Sequence, residues 1–106
     1  MDGNTGIIFV AEIEEDVAGF IHLEADTTPS YRSVAPHKFC VIVDLYVKAK
    51  YRRKGIGRKL LFTARQWQLE NNLEYIELMA LGNSSEAIGF YENEGFSISS
   101  IVMRSD

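Results

Sequence analysis

Several things are scarce in this 106-residue chain. Cys40 is its single cysteine, so no disulfide can close within the chain, and its place in an apolar run marks it as a buried core thiol. Only two prolines occur, and there is no repeat, low-complexity tract or linker-like stretch, so residues 1–106 read as one domain. No apolar run approaches the ~20 residues of a membrane span. The opening MDGNTGIIFV has no basic segment followed by a long apolar stretch, the pattern of a secretory signal. His22, His37 and Cys40 stand at no metal-ligand spacing, so no metal is expected. A cytoplasmic protein without a membrane partner is the reading that follows.

What is present suits a soluble globular protein: 46% hydrophobic residues and 25% charged. The charge is unevenly placed. Net charge is -4, yet seven of the 11 Lys and Arg lie from Lys48 to Lys59, where no acid falls. They are Lys48, Lys50, Arg52, Arg53, Lys54, Arg58 and Lys59. A solvated charge run is the plain reading, and a local anionic ligand is the functional one.

Hydrophobic periodicity supplies the frame. Residues 7–13, IIFVAEI, predict a strand; EEDVAG follows as a turn-like acidic stretch; residues 19–25, GFIHLEA, predict a second strand antiparallel to the first. Residues 26–37 hold both prolines and predict a long loop. FCVIVDLYV, 39–47, is nearly continuously apolar and predicts a strand covered on both faces. From Gly57 a helix follows, with Leu60, Leu61, Ala64 and Trp67 on one face and Asn71 and Asn72 at its end. YIELMAL, 75–81, predicts a strand parallel to 39–47, joined to it by a right-handed crossover. Asn83 is placed to cap a second helix, SSEAIGFYENE, which stops at Gly95. FSISSIVM, 96–103, predicts a last strand.

The basic run therefore sits between the C-terminal end of a strand and a helix N-terminus, where open α/β sheets bind ligands. Gly55 and Gly57 remove two side chains, so backbone N–H groups can close on a ligand. Each hydrogen bond to a charged group contributes about 1.5–3 kcal/mol, against about 0.3–1 kcal/mol from the helix dipole. An N–H cradle dominates, and the ligand it suits carries phosphate. A Walker A loop is excluded, because Arg58 stands where that motif needs lysine and Arg52 where it needs glycine. A dinucleotide fingerprint is excluded because Leu60 stands where it needs a third glycine.

Arg52-Arg53-Lys54-Gly55-Ile56-Gly57 resembles the Gln/Arg-x-x-Gly-x-Gly/Ala signature of the GNAT superfamily of acetyl-CoA-dependent N-acetyltransferases. Upstream, DLYVKAKYR is similar to that family's strand-and-approach segment, and downstream NSSEAIGFYENEGF is similar to its Asn…Ala…Tyr…Gly-Phe segment. The resemblance runs from Ile7 to Met103. It implies an α+β fold, mixed α/β, with a mostly antiparallel sheet around a central parallel βαβ unit. It also implies a strand and two helices ahead of the hairpin, which opens here at Ile7, so the chain resembles an N-terminally truncated form. The resemblance places the coenzyme A pyrophosphate on the N–H groups of 52–58, including Arg52, Arg53, Lys54, Gly55, Ile56, Gly57 and Arg58. It places the pantetheine arm along Leu45, Tyr46 and Val47, with Asn83 helping to hold it. It makes Tyr91 the general acid for the coenzyme thiolate.

Acyl transfer to an amine also needs oxyanion donors and a neutral amine. A backbone N–H near Leu45–Val47 is the candidate donor. Asp44, a lone acid in an apolar strand, is the candidate base or acceptor-binding acid, or else a structural partner of a cation; Glu12 and Glu24 are alternatives. His22 and His37 read as structural. Three functions are weighed. One is an N-acetyltransferase acting on a primary amine of a small molecule or protein. The second is a coenzyme-binding module that is inactive alone or needs a partner chain. The third is a nucleic-acid binder, which the acidic remainder and the lack of aromatics within the basic run oppose. The apolar opening strand predicts a homodimer through residues 7–25 or 96–103.

Overall fold

The computed structural model describes residues 6–28, 35–79, 85–99 and 103–105. One sheet holds four strands in the order β1 (Gly6–Ile13), β2 (Asp16–Thr27), β3 (Lys38–Val47), β4 (Ile76–Leu78). The first two pairings are antiparallel and β3 with β4 is parallel. The β1–β2 turn is only Glu14-Glu15, at φ 50° and 68°. Two residues at positive φ make the turn whose twist matches a hairpin. Glutamate is an uncommon residue there, so this tight turn has no sequence signature, and β2 starts three residues earlier than its apolar pattern suggests. Ala18 is the extra residue of a bulge opposite Ala11 and Glu12, and it is fully buried.

Helix α1 (Ile56–Glu70) connects β3 to β4 and packs on one face of the sheet. Its Ile56, Leu60, Leu61 and Ala64 recur at helical spacing and meet Ile21 and Leu23 of β2 and Cys40 and Ile42 of β3. Each such side chain contributes about 1.5–3 kcal/mol when fully buried. Asn71 closes the helix, its side chain donating to the Trp67 carbonyl at 2.8 Å, and Asn72 turns the chain at φ 56°. Helix α2 (Ser85–Asn93) ends in a Schellman motif: Gly95 N–H donates to Glu92 O at 3.2 Å and Phe96 N–H to Tyr91 O at 3.0 Å, with Gly95 at φ 96°.

The structure departs from the sequence reading in three places. First, β3 is covered on both faces only at its start, where Phe39, stacked on Tyr75, and Cys40 are both buried. Further along, Val43 is 49% exposed, and Ile8 and Val10, two strands away on β1, are 58% and 51% exposed. An apolar run states that a strand is hydrophobic, not that both sides are covered. Second, residues 96–99 form no strand, and 100–102 lie outside the described residues. Third, within the described part of the expected strand 75–81 only Ile76–Leu78 form β4, although Tyr75 already accepts a hydrogen bond from Cys40 N–H at 2.8 Å; residues 80 and 81 lie outside the described residues. Asn83 and the start of the second helix's cap lie outside the described residues.

Candidate active site at the end of β3

A second bulge decides which side chains face inward here. Leu23 pairs with Ile42 and His22 with Asp44, which leaves Val43 unpaired. Before the bulge Cys40 and Ile42 point to the core; after it Leu45 and Val47 do. The extra residue shifts the two-residue alternation by one. Asp44 would otherwise follow Cys40 and Ile42 inward. It is exposed instead, and engaged in no ion pair among the described residues.

The described pairing of the two parallel strands is short. Their pairing spans Cys40–Ile42 and Ile76–Leu78 and goes no further among the described residues. Lys48 N–H donates across to Ala18 O on β2 at 2.8 Å. Backbone direction alternates along a strand, so the N–H and C=O groups of Leu45 and Val47 face away from β2. Arg52 donates its Nε–H to the Val47 carbonyl at 2.9 Å. Leu45 and Val47 line a cleft on that side, and their N–H groups have no backbone partner among the described residues.

A 3-10 turn, Ala49–Tyr51, leads to the glycines. Gly55 is the N-cap of α1 at φ 82°, a left-handed conformation that a side chain would strain. It supplies no side-chain cap, and no acid occupies the first turn, so the helix N–H groups point outward without a side-chain acceptor. Ile56, only 7% exposed, anchors the turn in the core, so its contribution to a ligand is limited to its backbone. Gly57 does two jobs. It keeps the turn open, and it lets α2 approach: a Cβ there would lie 3.2 Å from Phe90 Cζ.

A cleft of about 810 Å³ runs from the strand end to α2. Leu45, Tyr46 and Val47 form one wall and Arg52, Arg53, Gly55, Gly57 and Arg58 the floor. Phe90, Tyr91 and Glu94 close the far side. Nine of the sequence-predicted site residues therefore meet in one cavity. Asp44, Lys54 and Ile56 do not line it, and Asn83 is outside the described residues.

The cation cluster is smaller than its sequence suggests. Asp16, at the start of β2, binds Lys48 Nζ at 2.8 Å and Lys50 Nζ at 3.3 Å, and accepts from Tyr51 Oη at 2.8 Å. These contacts, Lys48's first, hold the Asp16 carboxyl well below the usual carboxylate range. Arg58 Nε lies 3.5 Å from Glu94 Oε1. Arg53, Lys54 and Lys59 have no ion pair among the described residues. The acids come from more than thirty residues away, so no local sequence window could show them.

Tyr91 is half-buried between two rings, edge-on to Phe90 at 5.2 Å and to Phe96 at 5.6 Å. Burial raises its pKa, and the negative charge of Asp44 raises it further. Asp44 is the residue before Leu45 on β3 and is not part of the cleft's lining. The histidines lie elsewhere: His37 Nδ1 is 2.7 Å from Glu74 Oε1, and His22 Nε2 is 3.3 Å from Glu24.

Comparison with known proteins agrees with this geometry. The chain matches the family described as acetyltransferase (GNAT) domain over residues 4–98. It is 26% identical over 96 residues to the uncharacterized N-acetyltransferase YhfO of Bacillus subtilis, covering 91% of this chain and 62% of that protein. The chain therefore spans less than two thirds of that relative's length. A mutant of the BH1408 protein from Bacillus halodurans superimposes with a TM-score of 0.93 at 23% identity, over 98% of this chain and 67% of that one. The aminoglycoside N-acetyltransferase AAC(6')-Iy in complex with CoA superimposes with a TM-score of 0.84 at 12% identity, over 98% and 77%. A strand end, a glycine turn opening a helix and a tyrosine facing them across one cleft are thus joined to a family match over nearly the whole sequence: this chain belongs to the GNAT acetyltransferase domain family.

Proposed function

We propose that this domain transfers an acetyl group from acetyl-CoA to a primary amine, within a single domain spanning the chain. The observation that carries the reading is the cleft itself. It joins an uncapped helix N-terminus, suited to a pyrophosphate, to the end of β3, whose Leu45 and Val47 N–H groups have no backbone partner among the described residues and suit the amide groups of a pantetheine arm. Arg53 and Arg58 attract the anion, Arg52 braces the turn through Val47, and Lys54 adds charge at the rim. Asn83 is proposed to steady the arm.

In the reaction the amine nitrogen attacks the thioester carbonyl carbon. The N–H of Leu45 or Val47 receives the oxyanion. Collapse breaks the C–S bond, and the Tyr91 hydroxyl protonates the departing sulfur while the nitrogen loses its proton to solvent. From reference values of about 10 and 8.5 that transfer is uphill by about 2 kcal/mol, and the raised pKa of Tyr91 adds to this. The same shift keeps Tyr91 protonated and ready to donate. Asp44, exposed next to Leu45 on β3, acts on the amine through water or attracts a cationic acceptor. Cationic amines are the favoured class: AAC(6')-Iy, an aminoglycoside acetyltransferase, shares the fold, and Asp44 pairs across the sheet with His22 close to Glu24.

A thiol-release screen with acetyl-CoA and polyamines, aminoglycosides, amino acids and peptides tests the reading. Amine-dependent release of CoA is expected. Binding of CoA with no release for any amine favours the second reading, a coenzyme-binding module whose acceptor site a partner chain completes. The exposed sheet face bearing Ile8, Val10, Val43 and Tyr46 motivates that reading. It also supports a homodimer through residues 7–25, which a monomer in sedimentation equilibrium would exclude. We place the protein in the cytoplasm, where Cys40 stays a reduced core thiol.

A further inference from the structure

We propose that Glu94 is a built-in competitor for the coenzyme's phosphates: it pairs with Arg58 at the cleft, must release it when coenzyme binds, and so limits coenzyme affinity. This rests on the reading of the cleft as the coenzyme site. The geometry is specific. Arg58 belongs to the first turn of α1, whose N–H groups carry no side-chain cap, and Glu94 follows the last residue of α2. Both line the same cleft. Their charged atoms lie 3.5 Å apart, with Glu94 21% exposed and Arg58 77%. The carboxylate is the better held partner. Glu94 N–H donates to Phe90 O at 3.2 Å and to Tyr91 O at 3.0 Å, and its own carbonyl accepts from Arg65 Nη2 at 2.7 Å. Arg65 in turn lies over the Phe96 ring at 5.1 Å. Glu94 is thus fixed in backbone, and the more exposed Arg58 side chain is the one a ligand can reach.

A carboxylate at the wall of a phosphate site acts in two ways. It occupies a cation the phosphate would use, and it repels the phosphate directly. An exposed ion pair is weak, so a multiply charged ligand can take Arg58 from it, and after loss of the ligand the pair re-forms. Affinity is lowered and release of the spent coenzyme is made easier.

The test is calorimetry with CoA and, separately, with pantetheine, which lacks the phosphates. Glu94→Gln preserves size and is expected to bind CoA about three- to tenfold tighter, with pantetheine affinity unchanged. The gain should shrink by at least half when Arg58 is also replaced, in the Arg58→Gln background, because the contested cation is gone. A gain under about twofold overturns the proposal. So does a gain for pantetheine as large as that for CoA, or a gain that survives intact without Arg58. If Glu94→Gln loses its fold by circular dichroism, Glu94→Ala, which also removes the carboxylate, is read by the same criteria. A wild-type protein that binds no CoA refutes the coenzyme reading itself, whereas wild-type binding without a tighter variant refutes this inference alone.

Discussion

Phe96 holds Tyr91 in two ways at once. Its backbone N–H donates to the Tyr91 carbonyl at 3.0 Å, and its ring meets the Tyr91 ring edge-on, with centroids 5.6 Å apart and planes at 76°. The stop signal of α2 and the orientation of its tyrosine are therefore one structure. Phe96→Ala is expected to remove the ring contact and destabilise the fold by about 1–3 kcal/mol. Gly95→Ala adds strain at φ 96°, at least about 1 kcal/mol. Urea midpoints for both variants check this, and midpoints equal to the parent's would show that the motif does not hold α2 in place.

Tyr91→Phe should reduce kcat by about one to two orders of magnitude while leaving CoA affinity within about twofold, because the hydroxyl acts only as thiolate forms. Since burial and the charge of Asp44 raise its pKa, Tyr91 remains a proton donor at least up to its ordinary value of about 10. A wild-type rate profile should therefore show no falling limb from this group below that pH. Single-turnover kinetics decide the point; an unchanged rate in the Phe variant removes Tyr91 from the chemistry.

Gly57→Glu should abolish coenzyme binding. The new side chain places a like charge beside the phosphates, and its Cβ lies 3.2 Å from Phe90 Cζ. Gly57→Ala makes the steric change without the charge, so the two variants separate the effects. Calorimetry with CoA showing Glu at 57 binding as tightly as glycine would place the phosphate site elsewhere.

Asp16 ties the hairpin turn to the approach of the glycine turn through Lys48, Tyr51 and Lys50. Its folded pKa is depressed, so the stability it contributes is fully present above its unfolded value of about 3.9 and is lost as pH falls below that. Asp16→Asn should lower the urea midpoint at pH 7 by a margin that stays constant down to about pH 5 and narrows below about pH 4. A margin that does not change with pH would mean that packing, and not charge, makes the difference.

Much of this was legible in one dimension. Apolar spacing marks α1 and its buried face at Leu60, Leu61 and Ala64, because a helix repeats every 3.6 residues whatever surrounds it. β-Branched and apolar runs mark the β1–β2 hairpin, and Gly55 announces a backbone conformation that other residues resist. Those are local requirements of the chain, written in neighbouring letters. The tertiary structure alone decided where the charges go and which way the end of β3 faces. Asp16 and Glu94 reach the basic run from far along the chain, so a cluster of seven cations becomes a partly neutralised one. A single unpaired residue, Val43, turns Asp44 outward and Leu45 and Val47 inward, since a strand's alternation is blind to an added residue until its partner strand sets the register.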